Sequence, residues 1–518
     1  MPDLLSSINH IVVLMLENRS FDHMLGLLYA DRNNIPPIGP GFEGLTGREA
    51  NPDGAGVSVT VFRVKPTDQY AYFMPGADPG EGYAATNSQL FGNITAPTPP
   101  TATNHGFVTD FSYTLGWESG EQGWSILRGT TAAGIMGMFT PEMLPVLSSL
   151  ARGFAVCDHW YSPVPTETLP NRAFACAATS QGHMDDKTKT YTAQSIFGLL
   201  SANNIDWAIY GYDTEPLTRL NFPDTTNASD DHFGLFTDFK SAAASGALRA
   251  FTFLEPSWGA DGNSQHPNYN VALGEQLIHD VYYALRNGPN WNQTLLIVTY
   301  DEHGGCYDHV PPPSGAVPPD HSAGEFGFAF RRFGVRVPAV LISPRIAAGT
   351  VFRVPDNTMP LDHTSILKTV ERRWNLPALT RRDAAAPDFG AVVTLTAPRR
   401  DDPLAGVVVP VANDRTRLKT GPPTCRRCMP SSSRNSPFRT GDAVTTMQCP
   451  RCARAPITRH TSARGQRRGR RRGDNRRRDR AAMRYVAGGS QELGVEWEIF
   501  TSSSVMSAGM SAKRGVLR

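Results

Sequence analysis

Two stretches of the chain carry an apolar run straight into acids. In HIVVLMLENRSFDHMLG, residues 10–26, six large apolar residues from Ile11 to Leu16 are followed by Glu17 and Asn18, with Asp22 and His23 close behind. In QTLLIVTYDEHGGCYDHVPPP, residues 293–313, the run ends in Asp301 and Glu302, and Gly304 and Gly305 then allow a tight turn. If both runs are strands pointing the same way in one sheet, Glu17, Asn18, Asp301 and Glu302 converge at its carboxyl edge, where open α/β sheets bind ligands. Three carboxylates beside an amide oxygen repel one another unless a cation sits among them. Hard oxygen donors select one divalent cation, with Ca²⁺ ahead of Mg²⁺ and Mn²⁺. Any one of these acids alone is better explained as a helix or turn cap. Two strands that end alike favour the shared site.

A third stretch, YSPVPTETLPNRAFACAATSQG (161–182), supplies a hydroxyl: Thr168, followed by Leu169-Pro170-Asn171-Arg172 and a helix expected over 172–180. A helix start aims free N–H groups at an anion, and Arg172 is placed to orient the turn. A threonine hydroxyl is a poor nucleophile unless a metal or base activates it, so the acid cluster and Thr168 explain each other. The segment alone is equally consistent with Thr168 as an N-cap ahead of a proline.

ENRSFDH, TLPNR and TYDEHGG, in this order, together with MFTPEMLPVLSSLARGFAVCDHWYSPVP and FGVRVPAVLISPRI, resemble the signature segments of the phosphoesterase family that contains the bacterial and plant non-specific phospholipases C and related acid phosphatases. The resemblance spans about residues 7 to 390. It implies an alkaline-phosphatase-like α/β core and metal-assisted phosphoryl transfer through a covalent phospho-enzyme. It makes Glu17, Asn18, Asp301 and Glu302 the metal ligands and Thr168 the nucleophile, with its oxygen also on the metal. It implies active-site roles for His105, in TNHGF, and His266, in SQHPN, holding phosphate oxygens or protonating the leaving alkoxide. The setting of His266 departs from the acidic DEHP form of relatives. Sulfatases of this architecture use an aldehyde made from Cys or Ser, which Thr168 cannot form. No second set of Asp and His ligands stands out, which favours a single metal.

The elements that must hold these residues are legible as alternation. Apolar runs at Ile11 to Leu16, around FAVCDHWY, and in DWAIYGY, LRAFTFLEP, TLLIVTY and VPAVLIS read as strands. Helical patterns separate several of them, notably NYNVALGEQLIHDVYYALRNGP, with Leu273, Leu277, Val281 and Leu285 assigned to its buried face, and HTSILKTVERRWNLP, ending before Pro377. The fold class expected is α/β, a mostly parallel central sheet flanked by helices. His303 and His309 flank the second acid motif as candidate supports, His23 as an organiser of the first loop, and His363 as a packing residue.

The whole chain has 518 residues, 40% of them hydrophobic, enough for a large core, and a formal net charge of +2 that hides an asymmetry. The domain division expected is a catalytic body over 1–400, a linker over 401–420 and an Arg- and Cys-rich tail over 421–518, too poor in periodic apolar positions to fold. In the tail, Cys425, Cys428, Cys449 and Cys452 have zinc-ribbon spacing, and the adjacent arginine run raises nucleic-acid binding as a rival function. The tail lacks the β-branched and aromatic residues of a ribbon, which argues against Zn²⁺ there. Neither a leader nor a membrane-spanning run is visible, so the expected location is cytoplasmic, or secreted or periplasmic if a leader is missing. The expected partners are a phospholipid or small phosphate ester, with transient contact to a membrane surface. Phospholipase C and phosphomonoesterase stay open, because loop 65–105 carries no readable lipid motif.

Overall fold

The computed structural model describes residues 4–30, 36, 38–119, 126–187 and 191–412. The tail and its four cysteines lie outside the described residues. The segment after 400 begins packed on the body, where Leu404 is buried and Asp402 accepts hydrogen bonds from Tyr282 and Tyr283, and Val408 and Val411 further on are exposed.

Eight strands form the central sheet: β1 (His10–Leu16), β2 (Ala155–Val156), β3 (Trp207–Gly211), β4 (Phe233–Leu235), β5 (Phe251–Glu255), β6 (Thr294–Tyr300), β7 (Ala339–Ile342) and β8 (Thr350–Val351). Their spatial order is β8-β2-β7-β6-β1-β5-β3-β4, and every pairing is parallel except the two made by β7. The mostly parallel sheet expected from the sequence is therefore present. All seven residues of β6 and all but His10 of β1 are buried, because both strands are central and covered on both faces. Each large aliphatic side chain so buried contributes roughly 1.5–3 kcal/mol relative to exposure.

β1 and β6 are neighbours in a register that runs from His10 opposite Thr294 to Leu16 opposite Tyr300. The residues next in line, Glu17 and Asp301, therefore leave the sheet side by side. Register alone performs this convergence.

On one face, the helix Val271–Arg286 packs against Pro145–Gly153 and Phe236–Ser245. Leu277, Val281 and Leu285 are buried there as expected, whereas Leu273 is 39% exposed. Steps of four residues advance 400°, so a run of i+4 positions drifts around a helix with 3.6 residues per turn and cannot keep all its members on one face. Ile278 and Tyr282 complete the buried stripe instead. Glu275 reaches out of this helix to accept from the N–H groups of Val146 and Leu147, capping its neighbour. Among the described residues, no helix is long and apolar enough to cross a membrane.

Candidate active site

Asn18 follows β1 with φ of 56°, in the left-handed region that asparagine tolerates better than other side-chain-bearing residues. Its backbone N–H donates to Asp301 Oδ1 at 3.0 Å, so the two motif loops are joined at their first turn. The second loop comes equally close: Gly304 and Gly305 have φ of +62° and +63°, and a Cβ on Gly304 would lie 1.9 Å from the carbonyl oxygen of Asn18. The Gly-Gly pair serves the turn the sequence suggested and also admits the neighbouring backbone.

The helix carrying the nucleophile candidate runs Thr168–Ala177, four residues earlier at its start than the sequence suggested. Pro170 does not bar it, because the first N–H groups of a helix have no intrahelical partner and proline at the third position loses nothing. Thr168 is thus the first helical residue, and its Oγ donates to Asn18 Oδ1 at 3.2 Å. The Leu169 N–H donates to Asp186 Oδ1 at 2.7 Å.

Arg172, one turn on, is buried and tightens the frame. Its Nε donates to Asp301 Oδ2 at 2.8 Å, and its Nη2 to the carbonyls of Met15 and Leu16 at the end of β1. Its guanidinium also lies 4.6 Å from the ring centroid of Trp258. Burial opposes the charge, but Asp301 and Glu17 outweigh it and hold Arg172 firmly protonated.

The remaining acids are crowded. Burial raises the Glu17 carboxyl, His266 opposes the rise, and Asp301 adds to it. Burial, then Glu81 and Asp301, push Glu302 well above the carboxylate range. Glu302 Oε2 accepts from the Gly304 N–H and lies 3.2 Å from His303 Nδ1, while its Oε1 is buried with no hydrogen-bond partner. His303 is kept neutral by burial, which lowers it to about 3.

Two acids that the sequence did not single out complete the cluster. Asn18 Nδ2 donates to Glu81 Oε1 at 2.7 Å. His266 Nε2 lies 3.4 Å from the same oxygen, and its Nδ1 lies 3.8 Å from Asp78. Asp78, Glu81 and His266 place potential ligand atoms within 4.8 Å of one another. Burial would lower His266, but Asp78, Glu81 and Glu17 outweigh it and raise it to about 9. The signal available in the sequence was the acid pair in GADPGEG, which had no periodicity to place it.

The structure thus brings Glu17, Asn18, Thr168, Arg172, His266, Asp301 and Glu302 into one cluster at the sheet edge. His105 stands apart: it is exposed just before the helix Phe107–Glu118. His363 Nε2 lies 2.7 Å from the Asp301 carbonyl, and its Nδ1 accepts from Trp160, so it supports the acid loop from beneath. His309 joins Asp22, Asp308 and Arg336 in a buried ion-pair group that ties the two motif loops together behind the site.

Comparison with known proteins gives this arrangement a context. Non-specific phospholipase C6 of Arabidopsis thaliana is 38% identical over 77% of this chain and 75% of its own length. Phospholipase C A of Mycobacterium tuberculosis is 28% identical over 79% and 82%. Among solved structures, a protein in the alkaline phosphatase superfamily from Vibrio parahaemolyticus shares 14% identity over 47% of this chain and 64% of that one, with a TM-score of 0.29, too loose a superposition to add to the sheet described above. The Phosphoesterase family model matches residues 8–377, a span that includes every member of the cluster, and the chain belongs to that family of phosphoric ester hydrolases.

Proposed function

We propose that the chain is a phospholipase C that depends on a divalent cation and transfers a phosphoryl group to Thr168. The observation that carries this reading is the position of Thr168 Oγ, 3.2 Å from Asn18 Oδ1 at the start of a helix and among buried carboxyls. The similarity to plant phospholipases C favours phospholipids over simple monoesters as substrates.

The donor set fits a hard cation. Glu302 Oε1 is a buried oxygen without a partner, and burial, with the neighbouring acids adding to it, raises the carboxyls of Glu17 and Glu302. Glu17, Asn18, Asp301 and Glu302 would hold the ion beside Thr168. When bound, the cation supplies the charge that makes a hydroxyl more acidic and offsets the charge of phosphoryl oxygens.

The chain's own groups do the positioning. Asn18 receives the Thr168 O–H, which leaves a lone pair of Oγ free to meet phosphorus, and Arg172 keeps Asp301 and the end of β1 in place. The positive end of the helix adds to the field at the phosphate. The bond from Oγ to phosphorus forms as the bond from phosphorus to the glycerol oxygen breaks; the Thr168 hydroxyl proton is released to water, and protonated His266 gives its Nε2 proton to the glycerol oxygen. Water then cleaves the phospho-threonine and frees the phosphorylated head group.

The test is turnover of phosphatidylcholine and p-nitrophenyl phosphate by wild type, Thr168→Ser and Thr168→Ala, with and without chelator and added Ca²⁺. The expected result is chelator-sensitive release of diacylglycerol and phosphocholine, lost roughly 10³-fold or more in Thr168→Ala. Mass spectrometry of the acid-quenched enzyme should show the phosphocholine adduct on Thr168. Turnover of p-nitrophenyl phosphate alone would make the chain a phosphomonoesterase, and turnover of neither with Ca²⁺, Mg²⁺ or Mn²⁺ would sink the reading.

A further inference from the structure

Beside the nucleophile lies a cavity of about 600 Å³, formed between the segments 82–100 and 326–332. Its size falls within the roughly 300–1,000 Å³ of small-molecule sites. Tyr83, Ile94, Pro97, Met184, Phe326 and Phe328 give it a mainly apolar lining.

The cavity shares walls with the catalytic cluster on two sides. Glu167, immediately before Thr168, lines it, and so does Gly82, immediately after Glu81. These walls touch: a Cβ on Gly82 would come within 2.9 Å of Glu167 Oε1. The cavity is therefore separated from Thr168 and from Glu81 by a single residue each.

Its lip is built against the usual preferences of a water-facing surface. Phe326 is 62% exposed, has φ of 56°, and stacks on Tyr83 at 5.8 Å with the rings 9° from parallel. A large aromatic side chain held in left-handed backbone stores strain, and such strain clusters at ligand sites.

The ring faces also say which part of a phospholipid does not belong here. The Arg332 guanidinium already lies 5.4 Å from the Tyr83 ring, 5.2 Å from Phe91 and 5.4 Å from Phe328. A cation so placed satisfies the rings and repels a quaternary ammonium. Glu167, Asp185, Arg331 and Arg332 give the cavity charged margins, and the apolar surface between them suits hydrocarbon.

We propose that this cavity is the acyl subsite of the enzyme, receiving the fatty-acyl portion of the diacylglycerol leaving group, with Phe326 as its lip. The proposal rests on the phospholipase reading above, and two measurements separate their fates. The first is kcat/KM on dibutyryl-, dihexanoyl- and dioctanoyl-phosphatidylcholine below their micelle concentrations, for wild type, Phe326→Ala and Phe326→Leu. The second is equilibrium binding of dihexanoylglycerol, dioctanoylglycerol and phosphocholine to Thr168→Ala, with and without Phe326→Ala.

Wild type should gain about fourfold in kcat/KM for each methylene that enters the cavity. Phe326→Ala should flatten this dependence and weaken diacylglycerol binding, and Phe326→Leu should restore much of both. Turnover without chain-length dependence, or with a dependence that Phe326→Ala leaves intact, would overturn the subsite while the phosphoesterase reading stands. Diacylglycerol binding that depends on chain length and on Phe326, in a protein that turns over no ester, would keep the acyl-binding cavity and remove the phospholipase reading. Loss of phosphocholine binding in Phe326→Ala would assign the cavity to the head group and overturn the proposal.

Discussion

The backbone N–H of Asn18 donates to Oδ1 of Asp301 across 3.0 Å, joining residues 283 positions apart. Two parallel strands in register deliver them, and the left-handed turn at Asn18 leaves its side chain free to meet Thr168 and Glu81. One residue thus carries a backbone task and a side-chain task, and substitutions separate them. Asn18→Gly keeps the turn and loses the amide; Asn18→Ala loses the amide and adds backbone strain of about 1 kcal/mol. Both should lower kcat by a similar factor, and Asn18→Ala should also unfold at lower denaturant. Equal stability in the two variants would remove the strain argument.

Arg172 and Asp301 form a fully buried ion pair. Removing one partner of such a pair strands the other, at a cost of about 3–5 kcal/mol. Arg172→Ala should therefore lose both stability and activity. Arg172→Lys keeps the charge but cannot reach Asp301 and two strand carbonyls at once, so kcat should fall with a smaller loss of stability. Urea unfolding beside steady-state kinetics checks both variants.

The acid–base assignment makes a leaving-group prediction. His266 is raised to about 9, chiefly by Asp78 and Glu81 acting against burial, so its conjugate acid prevails at neutral pH. Activity should fall as pH rises through the pKa of this group. Asp78→Asn removes the strongest charge raising it, so the basic limb should move toward the ordinary 6.5. A nitrophenolate leaves without help and a glycerol alkoxide does not. His266→Gln should therefore cost roughly 10²-fold or more on phosphatidylcholine and far less on p-nitrophenylphosphorylcholine. An equal loss on both esters would assign the proton to another group.

How much of this was visible in the chain depends on how local each signal is. β1 and β6 were legible because a strand buried on both faces must be a continuous apolar run, and the acids after each run, with the glycine pair after the second, marked the edge. The helix that carries Thr168 starts four residues before the expected 172, because a first helical turn tolerates Pro170 and no local signal separates its first turn from the loop before it. Asp78 and Glu81 were illegible for a different reason. They reach the site from an irregular loop, and their meaning lies in contacts with Asn18 and His266, which no spacing encodes.

Cation binding has a readout independent of turnover. Glu17 and Glu302 are raised by burial and by neighbouring acids, so protons compete with the ion for them. Adding Ca²⁺ to chelator-treated protein should raise Tm, by the equivalent of about 2.7 kcal/mol at a hundredfold excess over Kd. The shift should shrink as pH falls and these carboxyls hold their protons, and Glu302→Gln should reduce it at every pH. A Ca²⁺ shift as large in Glu302→Gln as in wild type would place the ion elsewhere.

Acid stability tests a contact outside the site. Glu43 is lowered to about 2, first by the hydrogen bond to His159 at 2.5 Å, with burial opposing and the charges of His159, Arg336 and Arg353 adding to the effect. A carboxyl depressed in the folded state contributes stability that is fully present above its unfolded value near 4.5 and is lost as pH falls through the folded value near 2. Glu43→Gln should therefore be less stable than wild type at pH 6, with the difference narrowing steadily below pH about 4.5. The group is partly open to solvent, so screening keeps the effect modest and high salt should shrink it. Denaturant midpoints for both proteins from pH 6 to pH 3 give the comparison, and a difference that stays constant over that window would mean that Glu43 acts through packing rather than charge.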